Sequence, residues 1–498
     1  MTRLNLLPYP KEVTYGEGYY QGKGTPNKVI TTDYGEEGYY IEITKEEIQL
    51  IGDIKGLYYA NCSLQQLRIQ FGEQLPCMNI MDVPRFSYRG FMLDSSRHFI
   101  EKSDVLKLID AAAYFKLNKL HWHLIDDQGW RIQIDAYPKL TEIGAKRGKV
   151  HFGRIEEPET SEGFYSKADI REIVAYAAEH MIDIIPEFEI PGHESAMLAA
   201  YPEFGCGGEK VKVQTRGGIF DHLICVGREE SWTFITTVLD EIIELFPYEY
   251  LHIGGDEACK RRWRSCPDCQ KKMKELGAQD ENALQQKIVT EVKEYLRKRG
   301  KKTIVWNDSL RGGALDSDFI VQAWMGDKKL VTDFVERGGK IIQSDNRYYY
   351  LDYPYFMIDA AKILENNPYP DYLDPRLHYA VLGLECPLWT ERVPDLKTAA
   401  TLMFPRLPAM AECAWTAEES RDNDSFFDRY EGISIYLSER GLHGTPKEYW
   451  RMTKEVAQRD EQQYKYVQET PENIKGWEID GKLMDEERRI YGSEIEEA

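Results

Sequence analysis

No run of about eighteen or more apolar residues occurs anywhere in this chain, so no segment reads as a membrane-spanning helix. The opening residues, Met-Thr-Arg-Leu-Asn-Leu-Leu-Pro-Tyr-Pro, lack the apolar core of a secretory signal, which makes a cytoplasmic location the expectation. Positive charge is in deficit. Lys plus Arg total 63 against 84 Asp plus Glu, a formal charge of -21, and such a balance repels phosphate backbones and anionic lipid surfaces. Neither nucleic acid nor a membrane is therefore an expected partner, whereas a neutral or cationic substrate is. Cysteine is sparse and odd in number, nine in 498 residues, which suits free thiols in a reducing compartment better than a disulfide framework. Cys266-Pro267-Asp268-Cys269, with Cys259 just upstream, is the one group with metal-ligand spacing. Three thiolates fall one short of a structural zinc site, so free thiols are expected there and no metal or cofactor is required. Fixed-period repeats and low-complexity segments are also missing.

What is present is an alternation. Residues 1–84 mix short β-rich pieces such as Tyr39-Tyr40-Ile41-Glu42-Ile43 with one helical pattern, Leu57 to Phe71, and read as a small α+β domain. From 85 to 417 apolar strands alternate with amphipathic helices, the pattern of a parallel α/β fold. Strands are expected at Tyr88–Leu93, Lys119–Ile125, Ile182–Phe188, Tyr250–Ile253, Thr303–Trp306, Phe319–Trp324, Lys340–Ser344 and Ala380–Leu384. Eight of them predict a closed (β/α)8 TIM barrel. Helical patterning covers Asp104–Phe115, Lys167–His180, Trp232–Phe246, Glu281–Arg299 and Lys328–Arg337, with Gly300 and Gly338 where C-terminal caps belong. A long loop is expected between Asn346 and Arg376. Residues 418–498 predict helices at Ser425–Leu437 and Lys447–Val456, packed beside the barrel, and a charged tail that frays.

Barrel enzymes of this type gather their chemistry at the C-terminal ends of the strands. Here the first end reads Asp94-Ser95-Ser96-Arg97-His98, the second His121-Trp122-His123-Leu124-Ile125-Asp126-Asp127, and the third Glu187-Phe188-Glu189-Ile190-Pro191-Gly192-His193. The fourth is Leu251-His252-Ile253-Gly254-Gly255-Asp256-Glu257. Neighbouring side chains on a regular strand point to opposite faces, so Asp256 and Glu257 can serve one substrate only if the two glycines break the pleat. The remaining ends supply Trp306, Trp324, Tyr350 with Asp352, and Trp389 with Glu391. Tryptophan and tyrosine faces match the C–H patches of a pyranose, while carboxylates and arginine bind its hydroxyls. The rim therefore makes a poor phosphate site and a good sugar site.

In this order the motifs resemble those of the β-N-acetylhexosaminidases of glycoside hydrolase family 20, over most of the chain. Glu189 departs from them, standing where the family often has aspartate. The resemblance implies hydrolysis of terminal, non-reducing β-linked N-acetylhexosamine, GlcNAc or GalNAc, from a carbohydrate or glycoconjugate. It also implies substrate assistance: the 2-acetamido oxygen attacks the anomeric carbon to give an oxazolinium ion. Glu257 is then the general acid and later base, Asp256 holds the acetamido N–H, and the Tyr350 hydroxyl bonds its oxygen. Trp306, Trp324 and Trp389 pack the acetamido methyl, and Arg97, Asp352 and Glu391 grip the sugar hydroxyls. Asp126 and His193 form a relay behind Glu257. Two other readings compete. His121 and His123 place two imidazoles on one face, as metal-dependent amidohydrolase barrels do, although those need further histidines where this chain has Trp306 and Trp324. A non-catalytic sugar-binding barrel is the other, yet it has no need of Asp256, Glu257 and Tyr350 together.

Overall fold

The computed structural model describes residues 3–153, 159–468 and 471–491. Its centre is a closed barrel of eight parallel strands. They run Tyr88–Asp94, Lys119–His123, Asp183–Glu187, Tyr250–His252, Lys302–Trp306, Ile320–Ala323, Lys340–Gln343 and Val381–Leu388, and the last pairs with the first, Leu384 opposite Arg89. Each lies on one of the eight expected segments.

The helices form where the sequence caps them and gives them an apolar stripe. Asp280 accepts a hydrogen bond from the Ala283 N–H to open Glu281–Arg297, which buries Leu284, Ile288, Val292 and Leu296 at four-residue spacing. Ser166 and Asp169 form a reciprocal capping box at the start of Lys167–Glu179. The chain leaves the helical segments through Gly300 and Gly338, whose N–H groups bond Arg297 O at 3.0 Å and Val335 O at 2.9 Å.

Inside the barrel the side chains stack in layers. Tyr88, Ile185, Ile304, Ile320 and Ile342 make an apolar plug at the N-terminal end. Polar groups also fill the barrel interior, His121, Glu187, His252, Gln322 and Glu385, all fully buried, with Glu187 and Gln322 two residues beyond Ile185 and Ile320 on the same strands. Above them the barrel opens.

Residues Glu12–Asp82 carry a five-stranded sheet and the helix Ile54–Phe71, which has its own core. Trp415, at the end of the barrel helix Arg406–Trp415, inserts into that core and donates to Asp82 Oδ2 at 2.9 Å. The 346–376 segment is not a featureless loop, since Asp359 caps a helix at Ala360–Glu365 through the Lys362 N–H, 2.8 Å away. The helix expected at Lys447–Val456 is split: a 3-10 turn occupies Lys447–Tyr449, and a helix begins at Lys454 and runs to Gln468. A further helix, Pro471–Tyr491, occupies a stretch read as tail; the tail from 492 onward lies outside the described residues. None of the described helices is long and apolar enough to cross a membrane.

All nine cysteines are buried and none is disulfide-bonded. The three-thiol grouping is corrected: Cys259 lies 3.6 Å from Glu487, not with its sequence neighbours, and Cys266 and Cys269 instead meet Cys206 and Cys225.

Candidate active site

A cavity of about 450 Å³ opens at the C-terminal end of the barrel, within the usual range for small-molecule sites of about 300 to 1,000 Å³. Its walls include Arg97, His193, Asp256, Glu257, Trp306, Trp324, Tyr350, Asp352, Trp389 and Glu391. Of the site residues predicted from sequence, only Asp126 stands behind the wall.

The fourth strand stops at His252, and the chain then turns through Gly254 and Gly255, at φ +60° and +100°. A Cβ on Gly254 would fall 1.7 Å from the Glu189 carboxylate, so glycine is required there by both conformation and space. This turn brings Asp256 and Glu257 to one cavity. Glu257 itself holds φ +48° and His193 φ +55°, left-handed conformations that cost a non-glycine residue energy and cluster at functional sites.

The charges are ordered by depth. Glu187 occupies the centre of the barrel: its Oε1 accepts from Trp306 Nε1 at 2.8 Å and lies 2.9 Å from His252 Nδ1. Its Oε2 meets His123 Nδ1 and lies 3.1 Å from His121 Nε2. Burial alone would raise its pKa, but the three imidazoles hold it well below the usual carboxylate range. His121 and His123 are thereby committed beneath the cavity, His121 also to Glu385 at 2.9 Å and His123 also to Asp126 at 3.0 Å.

One layer higher, His193 Nδ1 lies 3.3 Å from Asp126 Oδ1 and 3.2 Å from Asp127 Oδ2, while Nε2 is 3.7 Å from both Asp256 Oδ2 and Glu257 Oε2. Burial opposes charge on the ring, but the Asp126 carboxylate, together with Asp127 and the more distant Asp256, holds its pKa well above the ordinary value, which favours the imidazolium. Asp126 also binds Arg97, Nη2 to Oδ2 at 2.7 Å.

Glu257 lines the cavity with 32 % of its side-chain surface open. Burial of the carboxyl pushes its pKa up to about 7, Asp256 and Asp308 adding to the shift and His193 and Arg97 opposing it. Such a group is protonated in a useful fraction at neutral pH. Asp256 Oδ1 is buried with no hydrogen-bond partner among the described residues.

The aromatic wall is held from behind. Trp306 lies at ring-centroid distances of 6.4 Å from Trp324 and 6.1 Å from Trp389; Tyr350 stacks on Trp324 at 6.1 Å. Trp324 Nε1 donates to Asp308 Oδ2 at 2.8 Å. Burial keeps the Tyr350 hydroxyl well above the usual tyrosine range, hence protonated and able to donate. At the opposite end Arg97 stands over Trp389, 4.9 Å from its centroid, and burial with the neighbouring Glu391 raises Asp352 to about 7.

Several lining groups carried no sequence signal. Arg216 and Tyr353 come from long loops, Arg392 from the short link after the last barrel strand, and Tyr464 and Asp480 from the C-terminal helices, which reach the cavity instead of lying only beside the barrel. Arg216 Nη1 pairs with Asp480 Oδ1 at 2.9 Å. Only long-range folding brings these together. The parts played by Glu187, Asp127 and Asp308 had a signal, since all three lie at the strand ends already singled out.

Fold and cavity define a (β/α)8 protein with an aromatic, carboxylate-rich sugar-type pocket on the C-terminal face of the barrel. Residues 86–418 match the model of glycosyl hydrolase family 20, catalytic domain, and the chain belongs to that family. It is 35 % identical over 429 residues to a β-hexosaminidase of Porphyromonas gingivalis, covering 82 % of this chain and 54 % of that protein. The chain thus spans about half the length of that relative. A β-hexosaminidase of Akkermansia muciniphila is 32 % identical over 407 residues, 78 % of this chain and 81 % of its own. Among solved structures, a β-N-acetylhexosaminidase superposes with a TM-score of 0.83 at 28 % identity, covering 92 % of this chain and 99 % of that one. The exo β-N-acetylglucosaminidase of Vibrio harveyi, in complex with N-acetylglucosamine, gives 0.80 at 28 % identity, covering 90 % and 79 %.

Proposed function

We propose that this chain is an exo-acting, retaining glycosidase that removes terminal β-linked N-acetylhexosamine with the substrate's own acetamido group as nucleophile. The observation that carries this reading is the pair formed by adjacent residues: Glu257, an acid with its pKa pushed up to about 7 and open to the cavity, and Asp256, whose buried Oδ1 has no hydrogen-bond partner among the described residues. A proton donor and a fixed acceptor side by side suit glycosidic oxygen and acetamido N–H in one bound sugar.

In the forward step Glu257 gives its proton to the leaving oxygen as the acetamido oxygen closes on the anomeric carbon. Asp256 accepts the acetamido N–H and offsets the positive charge that grows on it, and the Tyr350 hydroxyl donates to the acetamido oxygen. Glu257, now ionised, takes a proton from the water that opens the ring. Because the nucleophile is tethered, its alignment is worth several kcal/mol, up to about 7 to 11 in ideal cases. Trp306, Trp324 and Trp389 supply that alignment by boxing the methyl group. Arg97, Asp352 and Glu391 hold the far hydroxyls and end the pocket after one sugar, which supports removal from the non-reducing end. His193, with Asp126 and Asp127 behind it, keeps a positive charge beside both active carboxylates.

The family membership and the acetylglucosamine complex of the Vibrio harveyi protein support a 2-acetamido sugar in this site. Turnover of a panel of glycans ending in β-linked GlcNAc or GalNAc tests the reading. Release of one sugar at a time from either supports it, and a folded protein inert on the whole panel contradicts it.

A further inference from the structure

Four cysteines from two stretches of chain, the segment after His193 and the segment after Glu257, converge in one place. Cys206 opens the short 3-10 segment Cys206–Gly208. Cys225 follows the antiparallel bridge between Gly205 and Ile224. Cys266 and Cys269 bracket the first turn of the helix Pro267–Glu275. The four sulfurs all lie within 4.8 Å of one another. Cys206 to Cys269, Cys225 to Cys266 and Cys225 to Cys269 are each 3.7 Å.

Those distances discriminate between uses of four thiols. Two disulfides need two exclusive pairs, yet Cys225 is equally near Cys266 and Cys269, and Cys269 equally near Cys206 and Cys225. A tetrahedral ion with metal–sulfur bonds of about 2.3 Å sets its ligand sulfurs about 3.8 Å apart, close to what is seen. An iron–sulfur cluster shares its thiolates among two or more irons and spreads them further than a single ion does. A closed tetrahedral set of four thiolates is a structural zinc geometry, and a single iron on the same sulfurs is told apart by metal analysis.

We infer that Cys206, Cys225, Cys266 and Cys269 form a closed tetrathiolate site for one zinc ion, with a structural task. Each thiol gives up its proton on binding, and four thiolates around Zn²⁺ leave two negative charges in excess. Arg228, paired with Asp268 at 2.9 Å, lies within electrostatic reach of Cys225 and Cys266, and the Gly227 N–H is directed at the Cys225 sulfur. Such outer contacts are what a thiolate centre needs.

The site's position gives it a role. The stretch with Cys206 and Cys225 continues from His193 and includes Arg216 to Gly218 on the cavity wall, while Cys266 and Cys269 follow Asp256 and Glu257. No cysteine lines the cavity. The ion therefore staples two active-site loops together without entering the chemistry. The Trp263 indole, donating to Ile224 O at 2.9 Å, and Arg262, paired with Asp221 at 3.0 Å, join the same two stretches.

The test is metal analysis of the full chain, produced in zinc-supplemented medium and purified without chelator. One zinc per chain is expected, with X-ray absorption at the zinc edge giving four sulfur ligands at about 2.3 Å. Cys266→Ser and Cys206→Ser each lose the metal, whereas Cys259→Ser keeps it. A mercurial added to folded wild-type protein releases the zinc to a colorimetric indicator and lowers Tm. The inference is overturned by a folded wild-type chain that holds no stoichiometric zinc, by two mapped disulfides, by iron with inorganic sulfide, or by a zinc edge dominated by oxygen or nitrogen. The absorption measurement uses wild-type protein, so it decides even where a serine variant does not fold.

Discussion

His193 Nε2 stands 3.7 Å from Glu257 Oε2, so an imidazolium faces the carboxyl proposed to donate the proton. The ring's charge lowers the pKa that burial raises. Replacing it makes a prediction with a definite sign: in His193→Gln, the pKa of Glu257 moves above its present value of about 7. The alkaline limb of kcat/KM should shift to higher pH while the plateau falls. A lower plateau with an unmoved limb would assign His193 a purely structural part.

Glu257→Gln should lose most activity on substrates with poor leaving groups and much less on an activated aryl glycoside, because only the former needs a proton for cleavage. The comparison belongs to the first chemical step, measured before the steady state, since the second step still lacks its base. Equal losses on both substrates would contradict the acid role.

The same carboxyl has a consequence for stability. Its folded pKa of about 7 exceeds the ordinary 4.5, so between those values the native state binds more protons than the unfolded chain, and stability falls as pH rises through the interval. Glu257→Gln removes that loss. The variant's Tm relative to wild type should climb from pH 4 to pH 8, and a difference independent of pH would contradict the raised pKa.

Asp480 reaches the cavity from a C-terminal helix and pairs with Arg216. Asp480→Ala should raise KM about three- to tenfold with kcat little changed, as expected for a partly exposed ion pair that shapes binding and not the barrier. A fall in kcat alone would place this helix in the chemistry.

The barrel was legible because the strands are largely apolar runs bounded by turn residues and most of the segments between them repeat their apolar positions every three or four residues. The tryptophans, the acids and the glycine break were legible because barrel geometry collects strand ends in one place. Non-local partners were not. Cys206 and Cys225 lie more than thirty residues from Cys266, with nothing near them in sequence to mark a pairing, and the 3.7 Å contacts exist only after two loops fold together. Asp480 and Tyr464 sit in charged sequence that reads as tail, although each lies on a helix that reaches the cavity. The helix at Ala360–Glu365 was hidden by the Tyr-, Pro- and Asp-rich residues around it, although Asp359 is an ordinary N-cap.

The central claim is that the nucleophile belongs to the substrate. It is tested most directly by comparing first-step rates for a matched pair of aryl glycosides that differ only in carrying a 2-acetamido or a 2-hydroxyl group. The acetamido substrate should react at least about a thousandfold faster, since the hydroxyl analogue forfeits the intramolecular advantage. Asp256→Asn and Tyr350→Phe should erode that ratio by slowing the acetamido member, through lost charge stabilisation and one lost hydrogen bond respectively. Comparable rates for the pair, or a covalent glycosyl ester trapped on Asp256, would contradict the account and make Asp256 the nucleophile of a two-carboxylate enzyme.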